Sequence, residues 1–220
     1  MSWLRRFPRT PMSSSRRRFE LAIALVLIAI VGKMILLRFA NIELFLAASL
    51  IAGSVLGGRY SGAVPLLSVS IFQAILWVAV YPGYTLVDML GTSFFTITGF
   101  LFIGLVGWKV KPRILFRTKS VALLTTLSVP LTIAFDVWTD VGVWLFFARA
   151  NGWSFQTVLE LQVPFTLYHI LSSLVFVPLL GSIFLLANRV LSPLPSVPAA
   201  PRDEKATEGT FTPPSPQSGQ

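Results

Sequence analysis

Two aspartates four residues apart, Asp136 and Asp140, lie inside FDVWTDVGVWLFF (135–147), a stretch otherwise as apolar as a membrane span. At i and i+4 on a regular helix they project from one face. Like charges that close disfavour double ionisation, so the pair calls for a shared proton, a water-filled mouth or a nearby cation. Lys33, Arg38, Arg149 or a cationic group of a ligand could serve. His169 is the only histidine. Carboxylates and an imidazole can hold a polar solute by hydrogen bonds, or do acid–base or metal chemistry. The chain has no cysteine, no second histidine, no HExxH, no GxSxG and no GxxxxGK[ST]. Binding is therefore favoured over catalysis, no catalytic residue, metal site or cofactor is predicted, and any coupling to ATP must come from partners.

The elements that position these residues follow from composition. Hydrophobic residues make up 54% of the 220, charged residues only 12%, and the mean hydropathy is +0.74. Soluble domains carry about 25% charged residues, so the composition is that of a membrane protein. The net charge of +9 sits in short basic blocks between apolar runs. That pattern suits orientation in a bilayer and anionic headgroups rather than nucleic acid.

The fold class expected is all-α, a polytopic membrane bundle of six transmembrane helices. Spans are read at 19–38, 42–58, 62–82, 85–108, 120–147 and 162–187. The fifth exceeds the ~20 residues that a bilayer requires, so it tilts, breaks or continues beyond the membrane. Residues 1–18 form a basic cytoplasmic segment with six arginines, 19–188 the membrane domain, and 189–220 a disordered Pro-rich cytoplasmic tail. SRRRFEL (15–21) has the look of a twin-arginine export signal, but neither a soluble domain nor a small-residue cleavage site follows it. Basic residues set orientation. With the N-terminus inside, inner segments collect the N-terminal arginines, Arg59, the Lys109–Lys119 cluster and Arg189, and outer segments keep Arg38 and Arg149. Both termini are then cytoplasmic and the protein belongs in the plasma membrane.

Ordered by depth, the polar residues gather toward the outside. Lys33, Asn41, Glu43, Gln73, Asp88, Asp136, Asp140 and His169 come from all six spans and fall in or near their outer halves, while the inner halves carry almost nothing ionisable. A charge at mid-bilayer costs about 2.5–3.5 kcal/mol on insertion scales, so such residues face a cavity, a partner or water. One outward-facing cavity fits this pattern better than an ion path, which would also need inner polar groups. Trp138 and its aromatic neighbours Tyr81, Tyr84, Trp144 and Trp153 form an interfacial belt, from which Trp138 is taken as a wall of the site. Ser49, Gly53 and Gly57 recur every four residues in span two, the spacing that lets helix backbones approach closely.

NIELFLAASLIAGSVLGGRYSGAVPLLSVSIF (41–72) resembles the early part of the substrate-binding S components of energy-coupling factor transporters, in which an outer Asn precedes a small-residue helix and a glycine-rich inner turn. TDVGVWLFF (139–147) and VPFTLYHILSSLVFVPLLG (163–181) resemble related S-component-like membrane proteins of unknown function. Asp140 stands where those have Asn, and Ala22, Ala24 and Ala29 lack the four-residue alanine spacing of vitamin-specific members. The resemblance implies a six-span subunit that captures a vitamin-like solute from outside and is energised by a separate membrane scaffold with two ATPases. By that analogy Asn41, Asp136, Asp140 and His169 contact the solute. Two other functions are compatible with the residues: a ligand-free membrane scaffold using the small-residue face of span two, and an intramembrane enzyme built on the carboxylates and His169.

Overall fold

The computed structural model describes residues 15–39, 42, 44–79, 85–114 and 118–190, the last three of these for their backbone alone. Asn41, Glu43, Tyr81, Tyr84, the first three arginines and the tail from residue 191 lie outside the described residues. Among the described residues the chain is all helical. The helices are α1 (Ser15–Ile35), α2 (Phe45–Ile51, continued by a π turn over Ala52–Leu56), α3 (Tyr60–Ala79), α4 (Leu86–Val110), α5 (Thr118–Val143, continued by a π turn to Ala148 and a 3-10 turn to Asn151) and α6 (Phe155–Val190).

Four stretches are long and apolar enough to cross a membrane: Tyr60–Ala79, Leu86–Arg113, Thr118–Asn151 and Phe155–Ala187. The last two contain 34 and 33 residues, about 50 Å each at ~1.5 Å per residue, against a hydrocarbon core of ~30 Å. α6 starts seven residues before the expected 162, because Ser154 caps it: the Ser154 Oγ accepts the Thr157 N–H at 3.1 Å. α1 opens on Arg16, Arg17, Arg18 and Glu20, with Arg16 Nε donating to Glu20 Oε1 at 3.0 Å on its exposed face.

α2 departs most from expectation. Its seven α-helical and five π-turn residues are all buried. At about 18 Å it is shorter than the bilayer core, yet its flanking turns carry the chain along the whole of α1. At one end Lys33 Nζ donates to the Ile42 carbonyl at 3.3 Å, and at the other Gly57 shares a surface hollow with Arg18. Fifteen residues separate the partners in each chain segment, 18 to 33 and 42 to 57.

This threading depends on backbone contact. A Cβ on Gly53 would stand 2.0 Å from the Gly104 carbonyl oxygen of α4, and one on Gly107 would stand 2.6 Å from that of Leu50. α3 meets α4 in the same way: a Cβ on Gly104 would lie 2.0 Å from the Ser61 carbonyl oxygen. Pro65, four residues on, has no N–H to offer Ser61, so that carbonyl is free to face the glycine. Of the small-residue series read in span two, Gly53 makes a helix crossing and Ser49 is fully buried. Gly57 instead ends α2 with φ +67°, beside the Lys111 side chain. Lys111 Nζ donates to the Val55 carbonyl at 3.0 Å and also to that of Leu56, closing the frayed end of the π turn.

Gly53→Ala and Gly104→Ala should each lower the thermal unfolding midpoint in detergent by several degrees, as expected for about 1–3 kcal/mol of overpacking. Gly62→Ala is the control, since its new Cβ would meet only a Leu101 methyl at 3.8 Å. Its midpoint should stay within a degree of the parent.

Candidate functional site

The C-terminal halves of α1, α3 and α5 and the N-terminal halves of α2, α4 and α6 enclose a cavity of about 470 Å³. Every helix contributes to its wall: Lys33, Phe45, Gln73, Thr96, Asp136 and His169 are one from each. Asp140 lines it one turn beyond Asp136.

Asp136 and His169 are joined. The carboxylate Oδ1 lies 2.8 Å from the imidazole Nδ1, the geometry of a ring N–H donated to the carboxylate. Both side chains are withdrawn from solvent, Asp136 6% and His169 2% exposed. Asp136 Oδ2 is buried and makes no hydrogen bond within the protein. Four residues below His169 on α6, the Ser173 hydroxyl accepts from Ser128 Oγ at 3.2 Å, so α5 and α6 are stitched through polar side chains at two levels. The Phe135 ring meets the His169 ring edge-on at 5.5 Å. Phe135 in turn lies 4.2 Å from Phe100, Phe100 5.7 Å from Phe45, and Phe45 5.2 Å from Phe72. One side of the cavity is thus a continuous sheet of phenyl rings, and polar groups are set into the rest.

Of the residues singled out in the sequence, Lys33, Gln73, Asp136, Asp140 and His169 line this cavity, and Arg38 stands at its edge. Asp88 and Trp138 do not. Asp88 belongs to the start of α4: its Oδ2 accepts from Thr85 Oγ1 at 2.5 Å, and its N–H donates back to that oxygen at 3.2 Å. This is an N-terminal cap, where a negative charge is favoured. Trp138 points to the other side of α5. It is 40% exposed, packs its ring 4.8 Å from Phe95 and donates its indole N–H to Thr98 Oγ1 at 3.0 Å. Two residues from Asp136 on a helix of 3.6 residues per turn, it is rotated by about 200°.

Gln162 and Thr166 also line the cavity. Their spacing from His169, seven and three residues back, puts all three on one face of α6, a pattern visible in the sequence. Among the described residues, no three His, Asp or Glu side chains are grouped closely enough to hold a metal ion.

The fold and cavity define a helical membrane protein with a polar, aromatic-walled chamber at one end of its bundle. Residues 13–197 match the model of the family of unknown function DUF6580, and the chain belongs to that family. Comparison with curated proteins finds no match, and neither does comparison with solved structures.

Asp136→Ala would leave His169 buried without its carboxylate, a loss that costs about 3–5 kcal/mol for a buried pair. Its unfolding midpoint in detergent should fall much further than that of Asp88→Ala, which removes only an exposed cap partner. Equal shifts would show that the pair does not hold α5 to α6.

Proposed function

We propose that the protein is a membrane-embedded substrate-binding subunit of S-component type, which captures a small vitamin-like solute from outside the cell and is energised by partner subunits. One observation carries this reading: side chains from all six helices, polar ones from every helix but α2, converge on a single cavity of about 470 Å³. Small-molecule sites are typically about 300–1,000 Å³, with mostly apolar walls and a few convergent polar groups. The phenyl sheet and the Lys33, Gln73, Asp136, Asp140 and His169 set have that character.

Charge supports the orientation. The cavity end carries Lys33, Arg38 and Arg149, whereas the opposite end gathers Arg16, Arg17, Arg18, Arg59, Lys109, Lys111, Arg113 and Lys119. Under the positive-inside rule the cavity then opens outward, with six crossings and both termini in the cytoplasm of a plasma-membrane protein. In this reading α1 and the threaded α2 complete the six. The basic end is the face available to a membrane scaffold with ATPases, since the chain has no nucleotide-binding loop of its own. The alternative of a ligand-free scaffold rests on the small-residue face of α2, and Gly53 on that face is already covered by α4 of the same chain.

Protein purified in mild detergent should retain a small molecule visible by native mass spectrometry, or be stabilised by a member of a vitamin and precursor panel. If neither occurs, solute capture is wrong. Orientation is separately testable because the chain has no cysteine. Asn151→Cys should react with a membrane-impermeant maleimide in intact cells, and Arg59→Cys only after permeabilisation. The reverse pattern would invert the topology.

A further inference from the structure

The cavity walls differ in charge, and that difference bears on the class of solute. The two carboxylates, Asp136 and Asp140, project from α5. Of the two cations, Lys33 comes from the last turn of α1 and Arg38 from the turn that follows it. α1 packs on α2 and α3, whereas α5 packs chiefly on α6 and α4, so the helix that carries the two carboxylates and the helix that carries Lys33 are held apart by other helices. The phenyl sheet of Phe45, Phe72, Phe100 and Phe135 comes from α2, α3, α4 and α5.

The second observation is the unused oxygen of Asp136. Its Oδ1 is taken by His169, while Oδ2 has no hydrogen-bond partner in the protein, on a residue more than nine-tenths buried that lines the cavity. A buried acceptor left without a donor is costly, and more so when charged. Water would satisfy it equally well in an empty cavity, but a solute that displaces the water must replace the bond. A nitrogen donor does so with a charge-assisted bond, and Asp140 one turn along the same face offers it a second carboxylate.

We infer that the solute is zwitterionic: a flat apolar body with a cationic nitrogen at one end, held by Asp136 Oδ2 and Asp140, and an acid group at the other, held by Lys33 and Arg38. This inference rests on the solute-binding reading and deepens it. A purely anionic solute would be repelled by the α5 wall and leave Asp136 Oδ2 without its donor. A purely cationic one would gain nothing from Lys33 and Arg38. A neutral aromatic would satisfy neither wall.

The test uses the full-length protein in detergent. Any small molecule it retains is extracted and typed for ionisable groups by mass spectrometry. In parallel, melting is followed with L-tryptophan, with tryptamine, which lacks the acid, and with indole-3-propionate, which lacks the amine. The expected result is a retained compound bearing both a basic nitrogen and an acid, with at least ten-fold lower occupancy in Asp140→Asn and in Lys33→Gln. Asp140→Asn is used because it leaves the Asp136–His169 bond and its contribution to folding in place. Of the three probes, tryptophan should stabilise most. A retained compound with one sign of charge or none overturns the zwitterion while leaving solute capture standing. So does unchanged occupancy in Asp140→Asn, or a larger shift with tryptamine or indole-3-propionate. No retained compound and no shift with any of the three probes, together with a silent vitamin panel, overturns both.

Discussion

The architecture depends on backbone touching backbone where α2 and α3 cross α4. Gly53 against the Gly104 carbonyl, Gly107 against Leu50, and Gly104 against Ser61 leave no room for a methyl group. In a bilayer the lipid chains are as apolar as the side chains they surround, so helices associate through close packing rather than through escape from water. Glycines supply that packing at one end of the bundle. At the other end the same helices carry Phe45, Phe72, Thr96 and Phe100, and the space between them is the cavity. The tight end and the hollow end are two consequences of where glycine and phenylalanine fall along α2, α3 and α4.

Asp136 and His169 do for α5 and α6 what the glycines do for α2 and α4. An ionisable group at membrane depth is expensive unless another polar group meets it. Each of these two meets the other, at 2.8 Å, and the Ser128–Ser173 bond continues the seam. The pair fixes the rotation of α5, and with it the direction in which Asp140 faces, since the two aspartates are about 40° apart around the helix axis. The dyad is therefore a positioning element as well as part of the cavity wall.

Depth was legible in the sequence, and azimuth was not. Counting residues along each span placed Lys33, Gln73, Asp136, Asp140 and His169 at one level, and all of them line one cavity. The same count admitted Asp88 and Trp138, because a one-dimensional depth says nothing of which way a side chain points. On α4 the cavity face runs through Thr96 and Phe100, and Asp88 lies two turns before Thr96, rotated about 80° from it and about 120° from Phe100. Comparing spacings within a helix would have recovered Gln162 and Thr166 and removed Trp138. The apolar runs gave spans three to six to within a few residues, except where α6 begins early behind Ser154, whose polar first turn carries no hydropathy signal. The glycines of α4 went unread because Gly99, Gly104 and Gly107 have no single regular interval, and their necessity appears only once their neighbours are known.

The complete enclosure of α2 has a consequence for biogenesis. Its twelve helical residues are all buried, but the ribosome delivers them well before α4, whose glycines receive them, and before Lys111, whose ammonium closes their last carbonyls. Until some fifty further residues have been made, the Val55 and Leu56 carbonyls at its end have no ammonium to meet. The packing of this segment can therefore be completed only once α4 and Lys111 have been made.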